Sequence, residues 1–259
     1  MSTPAIHAPA ARSILPNLQH AVWRASQMAS SRTATVSSGH PALDNELPNA
    51  GWPCSVLIEL LLQQAGIGEL RLLAPALAAM TNARKTIVLL APPHIPLASA
   101  LAELGIDLSL VMLIQADKPA DRIWAVEQTL KSGSFGALLC WLPHARADQL
   151  RRLQLDAAGC EGLTFVFRPL AAQREPSPAP LRIVCQPFHI GQISVDIIKR
   201  RGPVLGQPVL LPLAMPASLQ KIASRRHASS THLRTPHALD RLLPAATAAG
   251  RHLEIPVEA

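Results

Sequence analysis

The chain has 259 residues, 49% of them hydrophobic, yet only 3% are aromatic and tyrosine is absent, so it can bury a real core and that core must be aliphatic. Pro, His and Arg interrupt any apolar leader at the N-terminus, and no run reaches the roughly 18 apolar residues that a membrane span needs, so a soluble cytoplasmic protein is expected. The net charge of +7 is unevenly placed: residues 199–259 hold 9 Lys/Arg against 3 Asp/Glu while the remainder is close to neutral, a pattern that suits an acidic partner surface or a nucleic-acid backbone.

Residues 1–31 read as an N-terminal extension. The first ten are expected to be disordered, and 11–30 form an amphipathic helix interrupted near Pro16, with Trp23 and Arg24 as candidate partner contacts. A short strand-like run at 32–37 precedes a turn at Ser38-Gly39-His40-Pro41. From Val56 the pattern alternates. Apolar strands are expected at 56–62, 86–91, 110–115, 135–142 and 162–168, with helices at 69–82, 96–105, 119–132 and 146–158. Nearly uncharged strands separated by helix-length segments predict a parallel sheet covered on both faces. Two more strands, at 181–187 and 192–199, follow a Pro-rich turn and are expected to add an antiparallel edge. The core is placed at 32–213, and 214–259 is expected to be a flexible basic tail.

The four cysteines, Cys54, Cys140, Cys160 and Cys185, show no CxxC spacing, and three lie in or beside apolar runs, so they are expected to be buried structural thiols. His227, His232 and His237 sit in a Ser/Thr/Arg-rich segment without neighbouring Cys or carboxylates, and no metal or cofactor is expected. His94 and His144 follow strands, but neither has a nucleophile beside it in sequence.

The segment that carries most information is Gln63-Gln64-Ala65-Gly66-Ile67-Gly68-Glu69-Leu70, between an expected strand and an expected helix. A phosphate-binding loop would read G-x-x-x-x-G-K-[ST] in that slot. With Gly68 as the last glycine, Gln63 stands at the first glycine, Glu69 at the lysine and Leu70 at the magnesium-binding hydroxyl. Neither the lysine's charge on the terminal phosphates nor the hydroxyl's metal contact can be supplied. The helix N-terminus still offers amides to an anion, with Arg71 nearby, but Glu69 competes for that same end. A solvated or partner-facing loop is the expected state.

Val36-Ser37-Ser38-Gly39-His40-Pro41-Ala42-Leu43-Asp44 resembles the entry to the ATPase core of RecA recombinases, and Val195 to Gly202 resembles a final core strand of that type ending in a basic turn. The run from Leu60 to Leu73, with the helix around Trp23, is more specifically similar to ImuA proteins, the RecA/SulA-like accessory factors of bacterial translesion synthesis. The resemblance covers about residues 11–212. It implies an α/β, RecA-like core with a mostly parallel sheet flanked by helices, and antiparallel edge strands. It also implies an SOS-induced role beside ImuB, an inactive Y-family polymerase homologue, with RecA and an error-prone C-family polymerase as further partners. An active core of this type places a carboxylate after the strand at 86–90, where this chain reads Ala91-Pro92-Pro93-His94. It places a magnesium-binding Asp at the end of 135–142, where this chain reads Trp141-Leu142-Pro143. With Glu69 and Leu70, these departures imply a degenerate loop and no ATP hydrolysis.

The alternative is a SulA-type cell-division inhibitor that binds FtsZ, a relative with the same degenerate core. For either partner class, or for weak contact with DNA, the candidate residues are Lys199, Arg200, Arg201, Arg225 and Arg226. Leu239, Leu242 and Leu243, at i, i+3 and i+4, add a short apolar anchor. Arg146, Arg151 and Arg152 fall where RecA's first DNA-binding loop would lie, though on a helix they equally form a solvated face.

Overall fold

The computed structural model describes residues 34–202 and 206–217. The expected N-terminal helix with Trp23 and Arg24, the histidines of the tail, Arg225, Arg226, Leu239, Leu242 and Leu243 lie outside those residues. All the elements below belong to one compact unit that ends at Pro216.

A two-stranded antiparallel ribbon, β1 (Thr35–Val36) with β2 (Trp52–Pro53), leads into the sheet. Between them a short helix, α1 (Pro41–Asp44), follows the Ser-Gly turn. The turn is tied by Asp44, whose Oδ2 accepts from Ser37 Oγ at 2.6 Å and whose Oδ1 accepts from Ser38 N–H at 2.8 Å. Burial opposes the charged form of Asp44, but these bonds outweigh it and hold its pKa below the usual value. His40 Nε2 lies 3.2 Å from the Leu72 carbonyl oxygen and docks the turn on the following helix.

The main sheet has eight strands: β3 (Leu57–Leu62), β4 (Ile87–Leu90), β5 (Val111–Ile114), β6 (Ala137–Trp141), β7 (Leu163–Pro169), β8 (Leu181–Pro187), β9 (Gln192–Lys199) and β10 (Val209–Pro212). Their spatial order is β10-β9-β8-β3-β7-β6-β4-β5. Every pairing from β8 to β5 is parallel, and the β8–β9 and β9–β10 pairings are antiparallel. Four helices or helical turns connect the parallel strands: α2 (Glu69–Asn82), α3 (Ala98–Glu103), α4 (Pro119–Ser132) and α5 (Ala147–Ala157).

Period-two alternation assigns each strand's side chains to two layers. Ile58, Leu60, Phe165, Ile183 and Leu89 join Leu72, Leu73 and Leu77 of α2 on one face. Leu57, Leu138, Cys140 and Val166 join Val126 and Leu130 of α4 and Leu153 of α5 on the other. The central strand β3 is buried at all six positions, and each fully buried large apolar side chain contributes about 1.5–3 kcal/mol. All four cysteines are free and buried. Among the described residues no helix is long and apolar enough to cross a membrane.

The segment 181–187, expected at an antiparallel edge, is interior instead. As β8 it pairs in parallel with β3, Glu59 facing Arg182. Its connection from β7 runs back along the sheet through a 3₁₀ turn at Leu170–Arg174, whose Ala172 packs on Leu61 and Val184. The true edge beyond β9 is β10, which sequence analysis did not assign as a strand.

Candidate functional site

The loop between β3 and α2 turns on two glycines with left-handed backbone, Gly66 (φ 83) and Gly68 (φ 117), a conformation that costs other residues more. Its amides converge on a carboxylate from the same chain. Gly66 N–H donates to Glu69 Oε1 at 2.8 Å and Gly68 N–H donates to Glu69 Oε2 at 3.1 Å. Glu69 is 4% exposed and sits in the first turn of α2, where a negative charge complements the helix dipole. The position expected to hold a phosphate-binding lysine therefore holds the anion itself.

The two ends of the loop differ in exposure. Leu70 packs against the main core cluster, whereas Gln63 is exposed. A methyl group added at Gly68 would lie 2.7 Å from Leu213 Cδ1 and 3.0 Å from Arg71 Nη2, so the chain beyond β10 lies directly against the loop. Arg71 Nη1 is 3.5 Å from Met215 Sδ. Burial pulls the Arg71 pKa down, and the neighbouring Glu69 charge works against that. An incoming phosphate would meet a like charge at the centre of the loop, a repulsion of roughly 4 kcal/mol at about 4 Å and an effective dielectric near 20.

Beside the loop, at the carboxyl ends of β3, β4, β6 and β7, lies a cleft of about 270 Å³. Carboxyl ends of parallel strands are where open α/β sheets usually hold ligands. The segments expected to lack the catalytic and metal-binding carboxylates meet here, because Ala91 and Pro93 after β4 and Trp141 and Pro143 after β6 all line the cleft. Trp141 stacks on Phe167 at a ring distance of 4.4 Å and an interplanar angle of 21°. Among the described residues no Asp or Glu lines this cleft. Ala91 is held at φ 49, a left-handed conformation that costs an alanine about 1–2 kcal/mol. Trp141 Nε1 and Arg168 Nε are both buried without an acceptor.

One floor residue of the cleft, Arg168, belongs to an ion network that sequence analysis missed. Glu59, 1% exposed in the middle of β3, accepts from Arg168 Nη1 at 2.8 Å and from Arg182 Nε at 2.5 Å. Arg168 Nη2 also reaches Glu175 at 2.6 Å and the Ala145 carbonyl at 2.9 Å. Arg182 donates to the Ala172 and Gln173 carbonyls. The two arginines thereby pin the β7–β8 crossover, whose backbone carbonyls have no full helix to bond within. The signal was present as one charged residue within each of three mostly apolar strands, since a buried charge requires a partner.

The remaining candidates do not line this first cleft. Lys199 Nζ donates to the Ser177 carbonyl at 2.8 Å. Arg200 is half-buried and bonds both the Glu46 carbonyl and its carboxylate, so its charge is committed within the fold, whereas Arg201 is exposed. On α5, Arg152 pairs with Glu127 and Arg146, the residue before it, pairs with Asp148. His94 is exposed, and His144 lines a second cleft next to the first.

A family model described as cell division inhibitor SulA matches residues 56–165, from just before β3 into β7. The cell division inhibitor SulA of Edwardsiella piscicida is 28% identical over 98 residues, which cover 38% of this chain and 58% of that protein. The chain thus spans little more than half the length of this curated relative. The matched stretch includes Glu59, the loop between β3 and α2, and Trp141 but stops before Arg168 and Arg182. From β3 to β7 this chain is similar to the SulA cell-division inhibitors.

Proposed function

We propose that the protein is a non-hydrolysing, SulA-like binding module of the bacterial SOS response, built on a degenerate RecA-type core and acting in the cytoplasm through protein contacts. The observation that carries this reading is Glu69, whose carboxylate takes the loop amides a phosphate would need. The absence of any carboxylate lining the adjoining cleft, among the described residues, supports it. In its finer form the protein is an adaptor of error-prone translesion synthesis, linking an ImuB-like polymerase homologue, and through it the error-prone polymerase, to RecA. The resemblance of residues 60–73 to ImuA proteins supports that form.

The second reading is a SulA-type inhibitor that blocks division by binding FtsZ. The family match and the curated relative both carry the SulA description and favour this reading over the adaptor. Two assays on the same strains separate them. If the protein is an adaptor, deleting its gene lowers damage-induced mutation frequency about tenfold, its expression leaves cell length unchanged, and it co-purifies with the ImuB-like protein. If it is a division inhibitor, expression causes filamentation, purified protein suppresses FtsZ polymerisation, and deletion leaves induced mutagenesis intact.

A further inference from the structure

The two clefts at the carboxyl edge of the sheet are adjoining parts of one groove. The first, about 270 Å³, lies over Trp141 and Phe167; the second, about 210 Å³, lies between the starts of α4 and α5. They share Arg122 and Pro143 as common wall. The groove is lined mainly by apolar surface, and its charged wall residues, among the described residues, are all cationic: Arg122, Arg146 and Arg168. No Asp or Glu lines either cleft among the described residues.

These cations are not equivalent. Arg168 is neutralised by Glu59 and Glu175, and Arg146 by Asp148. Arg122 is held differently: its Nε donates to the Ala116 carbonyl at 2.7 Å, which fixes the guanidinium at the junction of the clefts, and no carboxylate pairs with it among the described residues. The Trp141 and Arg168 donors that lack acceptors belong to residues of the same wall.

We propose that this groove is the docking site for an extended acidic segment of a partner protein, with an apolar side chain entering the Trp141–Phe167 cleft and a neighbouring carboxylate pairing with Arg122. Charge complementarity selects the occupant. An apolar slot beside one fixed, uncompensated guanidinium matches a short acidic–apolar peptide, and a planar guanidinium binds a carboxylate through two parallel hydrogen bonds. A nucleic-acid strand fits less well, because tracking a phosphate backbone needs several free cations in a row. A nucleotide phosphate would be repelled by Glu69 at the adjoining loop. The inference rests on the reading of this chain as a protein-binding module, whichever pathway it serves.

The test is selection of a random heptapeptide display library on the full-length protein. The recovered peptides are then synthesised and measured by fluorescence anisotropy against wild type, Arg122→Glu, Arg122→Lys and Ala65→Trp. Arg122 and Ala65 are partly exposed, so unchanged melting temperatures would establish that the variants remain folded. The expected pool carries Asp or Glu next to Leu, Ile, Met or Phe. Its binding should weaken at least tenfold with Arg122→Glu and with Ala65→Trp, which fills the cleft, while Arg122→Lys retains part of it. No enrichment over a blank support, a basic pool, binding indifferent to both blocking variants, or displacement by oligo-dT would each overturn the proposal. Because the selection uses purified protein alone, its failure removes the groove as a docking site while the mutagenesis and filamentation assays continue to test the module itself.

Discussion

Glu59→Gln should be among the most damaging single substitutions in this chain. Glu59 is 1% exposed and is shared by two arginines, at 2.8 Å to Arg168 and 2.5 Å to Arg182. Removing its charge leaves Arg168 with Glu175, but leaves Arg182, 7% exposed, with only the Ala172 and Gln173 carbonyls. Breaking one side of a buried ion pair typically costs about 3–5 kcal/mol. For a domain of this size each kcal/mol lowers the melting temperature by about 2–4 °C, so a drop of roughly 6–20 °C is expected. Arg182→Met should cost less, because Glu59 keeps Arg168. The double variant Glu59→Gln/Arg182→Met removes both partners' charges and should recover at least about 2 kcal/mol relative to the sum of the two single changes, the coupling expected within one network. Urea unfolding of the four proteins followed by circular dichroism measures this cycle. A Glu59→Gln cost below about 1 kcal/mol, or strict additivity in the double variant, would refute the view that this network holds the β7–β8 crossover.

Glu69→Gln keeps an oxygen for one loop amide but leaves the other without its charged acceptor; urea unfolding should show a loss of about 1–3 kcal/mol, and a change below 0.3 kcal/mol would contradict the capped loop. The pKa of Asp44 is lowered in the fold from 3.8, so its contribution to stability is present above that value and lost as pH falls through the folded one. The stability difference between wild type and Asp44→Asn should accordingly be largest near neutrality and shrink in acid, whereas a pH-independent difference would oppose the assignment. All four thiols should resist Ellman's reagent at pH 8 in the native protein and react together in guanidinium chloride. Burial pushes Cys185 up from 9.0 to about 12, so native stability should be indifferent to this thiol below pH 9 and decline between pH 9 and about 12, where only the unfolded chain ionises it. Rapid native labelling of any thiol would contradict its burial.

The parallel part of the sheet was legible because its strands are mostly apolar runs, such as Ile87 to Leu90, separated by segments with helical period. The helix bounds at 69–82 and 119–132 agree with the pattern because each has a clear start, Gly68-Glu69 in one case and Pro119 in the other. The placement of β8 was not legible. A short, Pro-rich connection normally joins antiparallel neighbours, and nothing local in 170–180 reveals that it crosses β3, since the stabilising contacts come from Arg168 and Arg182 on other strands. β10 follows Pro208 and ends on Pro212, and a proline missing its N–H is tolerated at an edge, which is where β10 lies. That Glu69 and Leu70 stand where a phosphate-binding loop would carry a lysine and a hydroxyl could be read directly from the sequence. That the Glu69 carboxylate folds back onto the amides of Gly66 and Gly68 is a matter of side-chain geometry, which the sequence does not specify.

The most direct test of the account is nucleotide binding and turnover by the purified full-length chain. Equilibrium dialysis against radiolabelled ATP with magnesium, followed by assay for released phosphate, should find neither saturable binding nor turnover above a protein-free control, because Glu69 already occupies the loop amides. Saturable ATP binding that Gly68→Ala abolishes, or sustained phosphate release dependent on the same glycine, would contradict the account at its centre.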